Sequence, residues 1–330
     1  MRVVAGQVAL PSQFGRYTLL ERLALGGMAE VFRAKIVSSH GFEKAVVVKR
    51  LLRHRAVDRA LTAMFIEEAK LMAQLTHPKI VQLLDFGEVG DEYFIALELV
   101  DGIDTAALLR AAAHRQVRVP LPLAIFIASE VLEALDYAHA ATDMDGRPMH
   151  LVHRDVSPSN VFISRRGDVK LGDFGVARAG HRGSDDIGEP WTEETGTLQG
   201  KCGYMSPEQV VGAPLDGRSD LFAVGVFLAE ALMGRRLFSG RNELDVLLMV
   251  RDARIERLHR FASDLPPAMM RILRKALEKD PAARYQTGAE LRDELGDYLF
   301  SRRIRVGPRD LRAFMNDLLQ SPARPASSAR

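Results

Sequence analysis

Two polar stretches in the middle of the chain carry residue types that can move protons and bind metal ions. They cover residues 152–160 and 173–175, and their oxygen-bearing side chains include Asp155, Asn160 and Asp173. A carboxylate in a polar loop can accept a proton from a hydroxyl, and carboxylate and amide oxygens are suitable ligands for Mg²⁺. These three side chains therefore fit a general base beside a magnesium site.

A lysine and a glutamate in the first third of the chain form a second candidate pair. Lys49 ends the apolar run Val46-Val47-Val48, which is typical of a strand, and Glu68 lies on a predicted helix. A lysine held by a helix glutamate can offer its ammonium group to nucleotide phosphates. The alternatives are a surface lysine and an ordinary solvated carboxylate, and the residues alone leave them open.

Two consecutive glycines lie between two predicted strands. Gly26 and Gly27 fall within the segment 23–31, where the absence of a Cβ lets backbone N–H groups approach phosphate oxygens. A plain β-turn explains the same two residues equally well.

The hydrophobic pattern predicts which elements position these residues. Residues 17–98 consist of short β-branched and apolar runs with a single helical stretch at 61–75, and from about residue 105 the apolar spacing becomes helical. A sheet-rich first part and a helix-rich second part predict two lobes with a cleft between them.

Composition excludes several classes of protein. The 330 residues are 47% hydrophobic and 27% charged, which is ordinary globular usage, and a net charge of +2 gives no reason to expect nucleic-acid binding. A single cysteine, Cys202, excludes a disulfide framework and favours a reducing compartment, so we expect a cytoplasmic protein. The apolar runs 121–129 and 221–229 are too short for a membrane span, which needs about 20 residues.

Taken together and in this order, the motifs resemble those of a bacterial serine/threonine protein kinase of the eukaryotic-like (Hanks) type. The resemblance implies an α+β, bilobal protein-kinase fold with a small β-rich N-lobe, which carries one main helix, and a larger helical C-lobe. It also implies transfer of the γ-phosphoryl group of ATP, with Mg²⁺, to Ser and Thr hydroxyls of protein substrates.

The same resemblance sets the expected boundaries along the chain. We expect an N-terminal lead at 1–16, a kinase domain at 17–300 (N-lobe about 17–98, C-lobe about 101–300), a short helical extension at 301–320 and a disordered tail at 321–330.

The resemblance also implies roles for individual residues. Asp155 would orient the acceptor hydroxyl, Asn160 and Asp173 would hold Mg²⁺, and Lys49 would pair with Glu68 and the α- and β-phosphates. The other nucleotide contacts that it implies are Gly26 and Gly27 over the phosphates, the backbone of Glu98 and Val100 at the adenine, and Asp104 at the ribose. Leu23 and Val31 are also expected to contact the nucleotide.

Three further residues have structural roles in the resemblance. Glu208, in Ser206-Pro207-Glu208, is expected to form a buried ion pair with Arg284, and Asp220 is expected to brace the catalytic loop.

Ser157 and Lys201 depart from the kinase pattern. Ser157 stands where Ser/Thr kinases usually have a lysine, and Lys201 stands where they usually have a threonine. We expect Lys201 to supply the missing cation from another loop, since phosphoryl transfer depends on charge neutralisation. The alternative is an impaired enzyme, which would act as a pseudokinase scaffold that binds ATP or partner proteins. The loop also lacks the arginine that tyrosine kinases carry near Ser157, which favours Ser/Thr specificity.

The segment between Asp173 and Glu208 is expected to regulate activity. Thr197 and Thr195 are the predicted phosphorylation sites, and Arg154 and Arg178 are the predicted partners of the phosphate. This regulation implies an upstream kinase or activator protein as a partner. The alternative is that these threonines are ordinary loop hydroxyls.

Overall fold

The computed structural model describes residues 10–37, 41–52, 58–174 and 201–320, so the tail expected at 321–330 lies outside the described residues. The described residues divide into two compact units. The first unit holds residues up to Thr76 together with Val81–Leu99, and the second holds His77–Ile80 and the described residues from Val100 onward.

A six-stranded antiparallel sheet forms most of the first unit. Its strand order is β1-β2-β3-β4-β6-β5, and the strands are β1 Ser12–Phe14, β2 Tyr17–Leu25, β3 Ala29–Val37, β4 Glu43–Leu51, β5 Leu83–Val89 and β6 Glu92–Glu98. In β4 the buried residues alternate, with Val46 and Val48 in the core, as expected of a strand with one covered face. The strands expected near Val31, Lys49 and Leu97 are therefore present.

One long helix belongs to the first unit. Helix α1, Arg59–Gln74, begins at Asp58, whose side chain accepts hydrogen bonds from the first backbone N–H groups of the helix. Phe65, Ala69 and Met72 recur at helical spacing and are buried, and Phe65 packs in a cluster with Leu51 of β4. The helical stretch expected at 61–75 is thus the helix that covers this sheet.

The N-terminal boundary differs from the expected one. Ser12–Phe14 pairs with β2 in antiparallel register, and the Phe14 ring is buried against Phe94 with their centroids 5.7 Å apart. Part of the expected lead at 1–16 therefore belongs to the sheet. Burial of the Phe14 ring stabilises the pairing of this short edge strand with β2.

The second unit is mainly helical, as the α+β prediction required. A three-stranded sheet, β7-β8-β9, joins Gly102–Asp104, Val161–Ser164 and Val169–Leu171. The helices are α2 Thr105–His114, α3 Leu121–His139, α4 Pro207–Val210, α5 Gly217–Met233, α6 Glu243–Arg251, α7 Glu256–Arg260, α8 Pro267–Ala276, α9 Gly288–Ser301 and α10 Pro308–Gln320.

Helix α5 lies at the centre of this unit. Every residue from Ser219 to Met233 is buried, and α5 packs against α3 and α8. The two apolar runs at 121–129 and 221–229 are therefore core helices, as predicted. Within the described ranges, no helix is both long enough and apolar enough to cross a membrane.

Four residues fall in a different unit from the one that the sequence suggested. His77–Ile80 interrupts the first unit, although the expected N-lobe was continuous over 17–98. The backbone N–H of Leu171 donates to the Lys79 carbonyl over 2.7 Å, and the Lys79 ammonium pairs with Glu130 of α3. These contacts join the segment to the second unit.

The last helix is part of the second unit. Leu311, Met315 and Leu318 of α10 are buried, and the helix packs against α2. In the turn between β8 and β9, Gly167 adopts a positive φ of 90°, and a Cβ there would lie 1.9 Å from the Pro308 carbonyl oxygen. The expected extension at 301–320 is thus a packed element whose helix begins at Pro308.

Candidate active site

A buried carboxylate holds the loop that carries the candidate base. Asp220 of α5 accepts hydrogen bonds of 2.8 Å from the backbone N–H groups of His153 and Arg154, and its Oδ2 lies 2.8 Å from Nε2 of His139. Burial acts to raise the pKa of Asp220, but the hydrogen bonds and the charge of His139 outweigh burial and lower it. The ionised carboxylate therefore fixes a backbone in which Arg154 has a φ of +66°.

Asp155 is oriented by two side chains that bond to the same oxygen. Lys201 Nζ lies 2.8 Å from Asp155 Oδ2, and Asn160 Nδ2 lies 3.1 Å from Oδ2 and 2.7 Å from the Asp155 carbonyl oxygen. In the part of the chain that the structure describes, both side-chain contacts fall on Oδ2. Among the described residues, Oδ1 of Asp155 has no side-chain hydrogen-bond partner.

Asn160 and Asp173 are brought together by the backbone between them. The N–H of Gly172, the neighbour of Asp173, donates to the Asn160 carbonyl over 2.9 Å, and the imidazole of His153 lies 3.0 Å from the Gly172 carbonyl oxygen. The Phe174 ring packs on His153, with their centroids 4.5 Å apart. Asp173 itself has a φ of +57°, a conformation that these neighbours support.

This pair of side chains suits a magnesium ion that also binds phosphate. The Asn160 amide nitrogen is used by Asp155, so its oxygen is the atom that can face a cation. No group of three or more His, Cys, Asp or Glu side chains that could hold a metal occurs among the described residues. Mg²⁺ commonly takes one or two protein carboxylates and completes its shell with phosphates and water, so the donors present fit the ion.

Lys49 and Glu68 form a close ion pair within the first unit. Lys49 Nζ lies 2.6 Å from Glu68 Oε1, and the two side chains are 14% and 4% exposed. Glu67, the neighbouring carboxylate, instead makes an exposed pair with Lys70. Lys49 is therefore not a surface lysine, and Glu68 is not a solvated helix carboxylate.

The two glycines lie in the turn that joins β2 to β3. The Gly26 N–H donates to the Ala29 carbonyl over 2.8 Å, and a Cβ on Gly26 would lie 3.3 Å from that oxygen. Nothing lies within 4 Å of a Cβ on Gly27. Leu23 is half exposed on β2, and Val31 is partly buried on β3. The turn satisfies the geometry of a tight hairpin and leaves the Gly27 side open.

Three residues expected to contact adenosine have defined local roles. The Glu98 N–H donates to the Gln82 carbonyl over 2.9 Å, so an adenine contact from Glu98 must use its carbonyl. Asp104 caps α2 by accepting a 2.6 Å hydrogen bond from the Ala107 N–H. Val100 is partly buried at the start of its segment in the second unit.

The expected structural ion pair is buried and bidentate. Arg284 Nη1 and Nη2 lie 2.7 and 2.8 Å from the two carboxylate oxygens of Glu208, and the Arg284 side chain is fully buried. The Ser219 hydroxyl donates to Glu208 over 2.6 Å. Burial acts to raise the pKa of Glu208, but hydrogen bonds from Arg284 and Ser219 outweigh burial and lower it.

Arg154 has a buried polar atom without a partner. Its Nε is buried and makes no hydrogen bond within the described residues, although the Arg154 carbonyl accepts a 2.9 Å bond from Gln209. An unpartnered buried donor is unfavourable, and most buried polar side-chain atoms in proteins have a hydrogen-bond partner. Arg178, Thr195 and Thr197 lie outside the described residues.

Sequence reasoning missed one buried polar cluster. The Tyr204 hydroxyl donates to Glu230 Oε2 over 2.5 Å, Arg236 Nη1 lies 3.2 Å from the same oxygen, and the Leu237 N–H donates to Oε1 over 2.9 Å. Burial raises the pKa of both Tyr204 and Glu230. The available signal was a single glutamate inside the otherwise apolar second half of α5.

Comparison with known proteins identifies the family of this chain. The family model described as "Protein kinase domain" matches residues 17–294. The tyrosine-protein kinase MasK of Myxococcus xanthus is 39% identical over 311 residues, which are 94% of this chain and 47% of that protein. The serine/threonine-protein kinase PknB of Mycolicibacterium smegmatis is 36% identical over 285 residues, which are 85% of this chain and 42% of that protein.

A further relative and a solved structure agree with this assignment. The serine/threonine-protein kinase PrkC of Bacillus subtilis is 30% identical over 281 residues, 85% of this chain and 40% of that protein. The crystal structure of the Mycobacterium tuberculosis PknI kinase domain has a TM-score of 0.62 at 27% identity and covers 88% of this chain and 99% of that one. The chain thus spans less than half the length of these curated relatives.

Proposed function

The chain belongs to the protein kinase domain family, and on that premise we propose that it transfers the γ-phosphoryl group of ATP to Ser and Thr hydroxyls of proteins. The arrangement of Asp155 carries the proposal, because both of its side-chain partners bond to Oδ2 and leave Oδ1 for the acceptor. A carboxylate held in this way can accept the hydroxyl proton while the acceptor oxygen attacks the γ-phosphorus.

The remaining residues have roles in positioning ATP. Bound Mg²⁺ supplies positive charge that neutralises the phosphates, and Asn160 and Asp173 are the residues that would hold it. Lys49, fixed by Glu68 at 2.6 Å, presents its ammonium to the α- and β-phosphates. During transfer the bond from the acceptor oxygen to phosphorus forms, the bond to the ADP oxygen breaks, and the proton goes to Asp155.

Lys201 supplies the positive charge that is missing at position 157, where serine replaces the usual lysine. Its ammonium lies 2.8 Å from the candidate base, whereas the Ser157 hydroxyl is buried and bonds to Ser159 over 2.9 Å. A lysine so close to the base can stabilise charge on the transferring phosphoryl group. Its placement supports an active enzyme over the pseudokinase scaffold.

Protein kinases differ in the hydroxyl that accepts the phosphoryl group, which belongs to Ser or Thr in one kind and to Tyr in the other. Relatives of both kinds match this chain. PknB and PrkC are named serine/threonine kinases, and MasK is named a tyrosine kinase. We favour Ser and Thr, and a tyrosine kinase is the second candidate. Phosphoamino-acid analysis of a phosphorylated generic protein separates the two directly.

Phosphorylation of Thr197 or Thr195 would regulate the enzyme. The buried Nε of Arg154, which has no partner among the described residues, supports this role, since a phosphate offers acceptors to the guanidinium. With Arg178 as a second candidate arginine, phosphate capture would order the segment before Glu208. An upstream kinase or activator protein would then switch the enzyme on.

Phosphopeptide mass spectrometry tests the proposed function. The purified chain is incubated with Mg-ATP and a generic protein substrate, with Asp155→Asn as the matched control that keeps side-chain size. We expect phosphoserine and phosphothreonine with the parent and none with Asp155→Asn. Equal phosphorylation by both proteins, or none by the parent before and after incubation with an activating kinase, would contradict the proposal.

A further inference from the structure

A cavity of about 220 Å³ opens beside the catalytic loop within the second unit. Pro158, three residues after Asp155, forms part of its wall, and the Thr105 hydroxyl of α2 donates to the Pro158 carbonyl over 2.8 Å. The described lining also includes residues of α2, of the loop that follows it, of the end of α5 and of the loop after α5, together with Tyr204. Its apolar side chains, here called the apolar floor, include Leu109, Ala112, Val119 and Ala231.

The one carboxylate in this lining is already neutralised by the protein itself. Glu230 bonds to the Tyr204 hydroxyl, to the guanidinium of Arg236 and to the Leu237 N–H. Its side chain is only 4% exposed. A buried carboxylate with three donors has little capacity left to attract a basic side chain from outside.

Two more arginines line the cavity, and among the described residues neither has a carboxylate within hydrogen-bonding distance. Arg110 is 72% exposed, and its ion pair with Asp104 is long, at 3.9 Å. Arg235 is exposed and lies over the Phe261 ring at 5.9 Å, a contact that does not neutralise it. An exposed pair at such a distance contributes little, so the described residues at the opening of the cavity carry a net positive charge.

We infer that this arginine-rimmed cavity (Arg110, Arg235 and Arg236 around the apolar floor) binds an acidic side chain of the protein acceptor. The inference rests on the proposed function and adds a substrate class to it. Asp155 and Pro158 are three positions apart in the chain, so their Cα atoms lie at most about 11 Å from each other. The acidic residue therefore lies within about four positions of the acceptor hydroxyl.

Arg236 determines the sign of this preference. Its guanidinium forms an ion pair with the Glu230 carboxylate, so a basic side chain of the substrate is excluded from that carboxylate. Removing the Arg236 guanidinium leaves the Glu230 carboxylate beside the cavity with only the Tyr204 hydroxyl and the Leu237 N–H as partners among the described residues. The cavity then favours a basic side chain in the position where the parent favours an acidic one.

Peptide kinetics test the inference. Each peptide has one acceptor serine in a neutral background and carries Glu, Ala or Arg at one position from four before to four after it. We expect one position at which Glu raises kcat/KM at least fivefold over Ala. An Arg110→Ala, Arg235→Ala double variant should reduce that ratio below twofold. Arg236→Ala should favour Arg over Glu at the same position.

Matched controls and a binding measurement separate this inference from the proposed function. An Arg147→Ala, Arg241→Ala double variant loses the same charge at exposed sites outside the cavity and should keep the parent preference. Fluorescence anisotropy of labelled Glu and Ala peptides gives affinities without any reaction, and we expect the Glu peptide to bind at least fivefold more tightly to the parent.

Several outcomes overturn the inference. These are equal affinities of the parent for the Glu and Ala peptides, a preference that survives the Arg110→Ala, Arg235→Ala double variant, or one that is lost equally in the control. Thermal unfolding of Arg236→Ala shows whether that variant is folded. If it is unfolded, the Arg110→Ala, Arg235→Ala double variant decides on the inference, because it removes only exposed side chains. If no peptide is phosphorylated, the proposed function fails and the affinities alone decide on the cavity.

Discussion

Replacing Lys201 by alanine should lower kcat strongly with little effect on folding. The Lys201 side chain is 38% exposed, and its Nζ lies 2.8 Å from Asp155 Oδ2. At that distance, two unit charges interact by about 1.5 kcal/mol in bulk water and by about 6 kcal/mol at an effective dielectric constant near 20. A partly exposed group lies between these limits.

These limits set the size of the expected effect. If the ammonium acts on the transferring phosphoryl group as closely as it acts on Asp155, even the water limit corresponds to about tenfold in rate. We therefore expect Lys201→Ala to reduce kcat by about tenfold to a hundredfold. Because the lysine supplies charge, Lys201→Arg should retain more activity than Lys201→Ala.

A rescue experiment tests whether Lys201 replaces the lysine that Ser157 lacks. Steady-state phosphorylation of a generic protein substrate is measured for Lys201→Ala and for the Lys201→Ala, Ser157→Lys double variant. Lys70→Ala serves as the control, because Lys70 is an exposed lysine of the first unit. We expect the double variant to regain activity to within about fivefold of the parent.

Three results would refute this reasoning. The first is a Lys201→Ala enzyme with a kcat within twofold of the parent. The second is an equal loss in Lys201→Arg and Lys201→Ala, which would show that charge is not the property that matters. The third is a folded double variant with no recovery, which would show that the two positions are not interchangeable.

Further predictions concern stability. Arg284→Ala leaves the Glu208 carboxylate buried without its partner and should lower the free energy of unfolding by about 3–5 kcal/mol, measured by urea titration; a loss below 1 kcal/mol would contradict this. Gly167→Ala introduces a Cβ that meets the Pro308 carbonyl oxygen at 1.9 Å and should lower Tm by several degrees. Gly146→Ala is the control, because Gly146 also has a positive φ but a Cβ there has nothing within 4 Å, and it should lower Tm less. Equal shifts in Tm would argue against the contact. The pKa of Glu208 is lowered by folding, so its ionised form stabilises the protein above about pH 4, and this contribution is lost as the pH falls through the folded-state pKa. Urea titrations between pH 7 and pH 3 should show that decline, and Glu208→Gln should make it shallower; an unchanged slope would contradict the assignment.

Local patterns in the sequence were sufficient for most helices. Helix α5 and helix α3 follow from apolar spacing alone, because helical periodicity is a local property. The position of Lys201 beside Asp155 was expected from the two departures taken together, and the structure places their side chains 2.8 Å apart.

The features that sequence reasoning missed depend on contacts between distant parts of the chain. Ser12–Phe14 is too short to show a strand period and gains its place through pairing with β2. His77–Ile80 joins the second unit through a backbone bond to Leu171. The partner of Glu230 is an arginine in the loop after its own helix, and the sequence does not show which of two adjacent arginines turns inward.

The bidentate pair between Glu208 and Arg284 has a consequence for the order in which the second unit can form. The two residues are 76 positions apart, and the loop that their contact closes contains the whole of the central helix α5. A chain still being synthesised that ends before Arg284 holds a carboxylate whose burial is unfavourable. Native burial of Glu208 must therefore wait until Arg284 has left the ribosome, and packing of α10 beneath Gly167 comes later still. Native packing around Glu208 can therefore be completed only after the C-terminal part of the second unit has been synthesised.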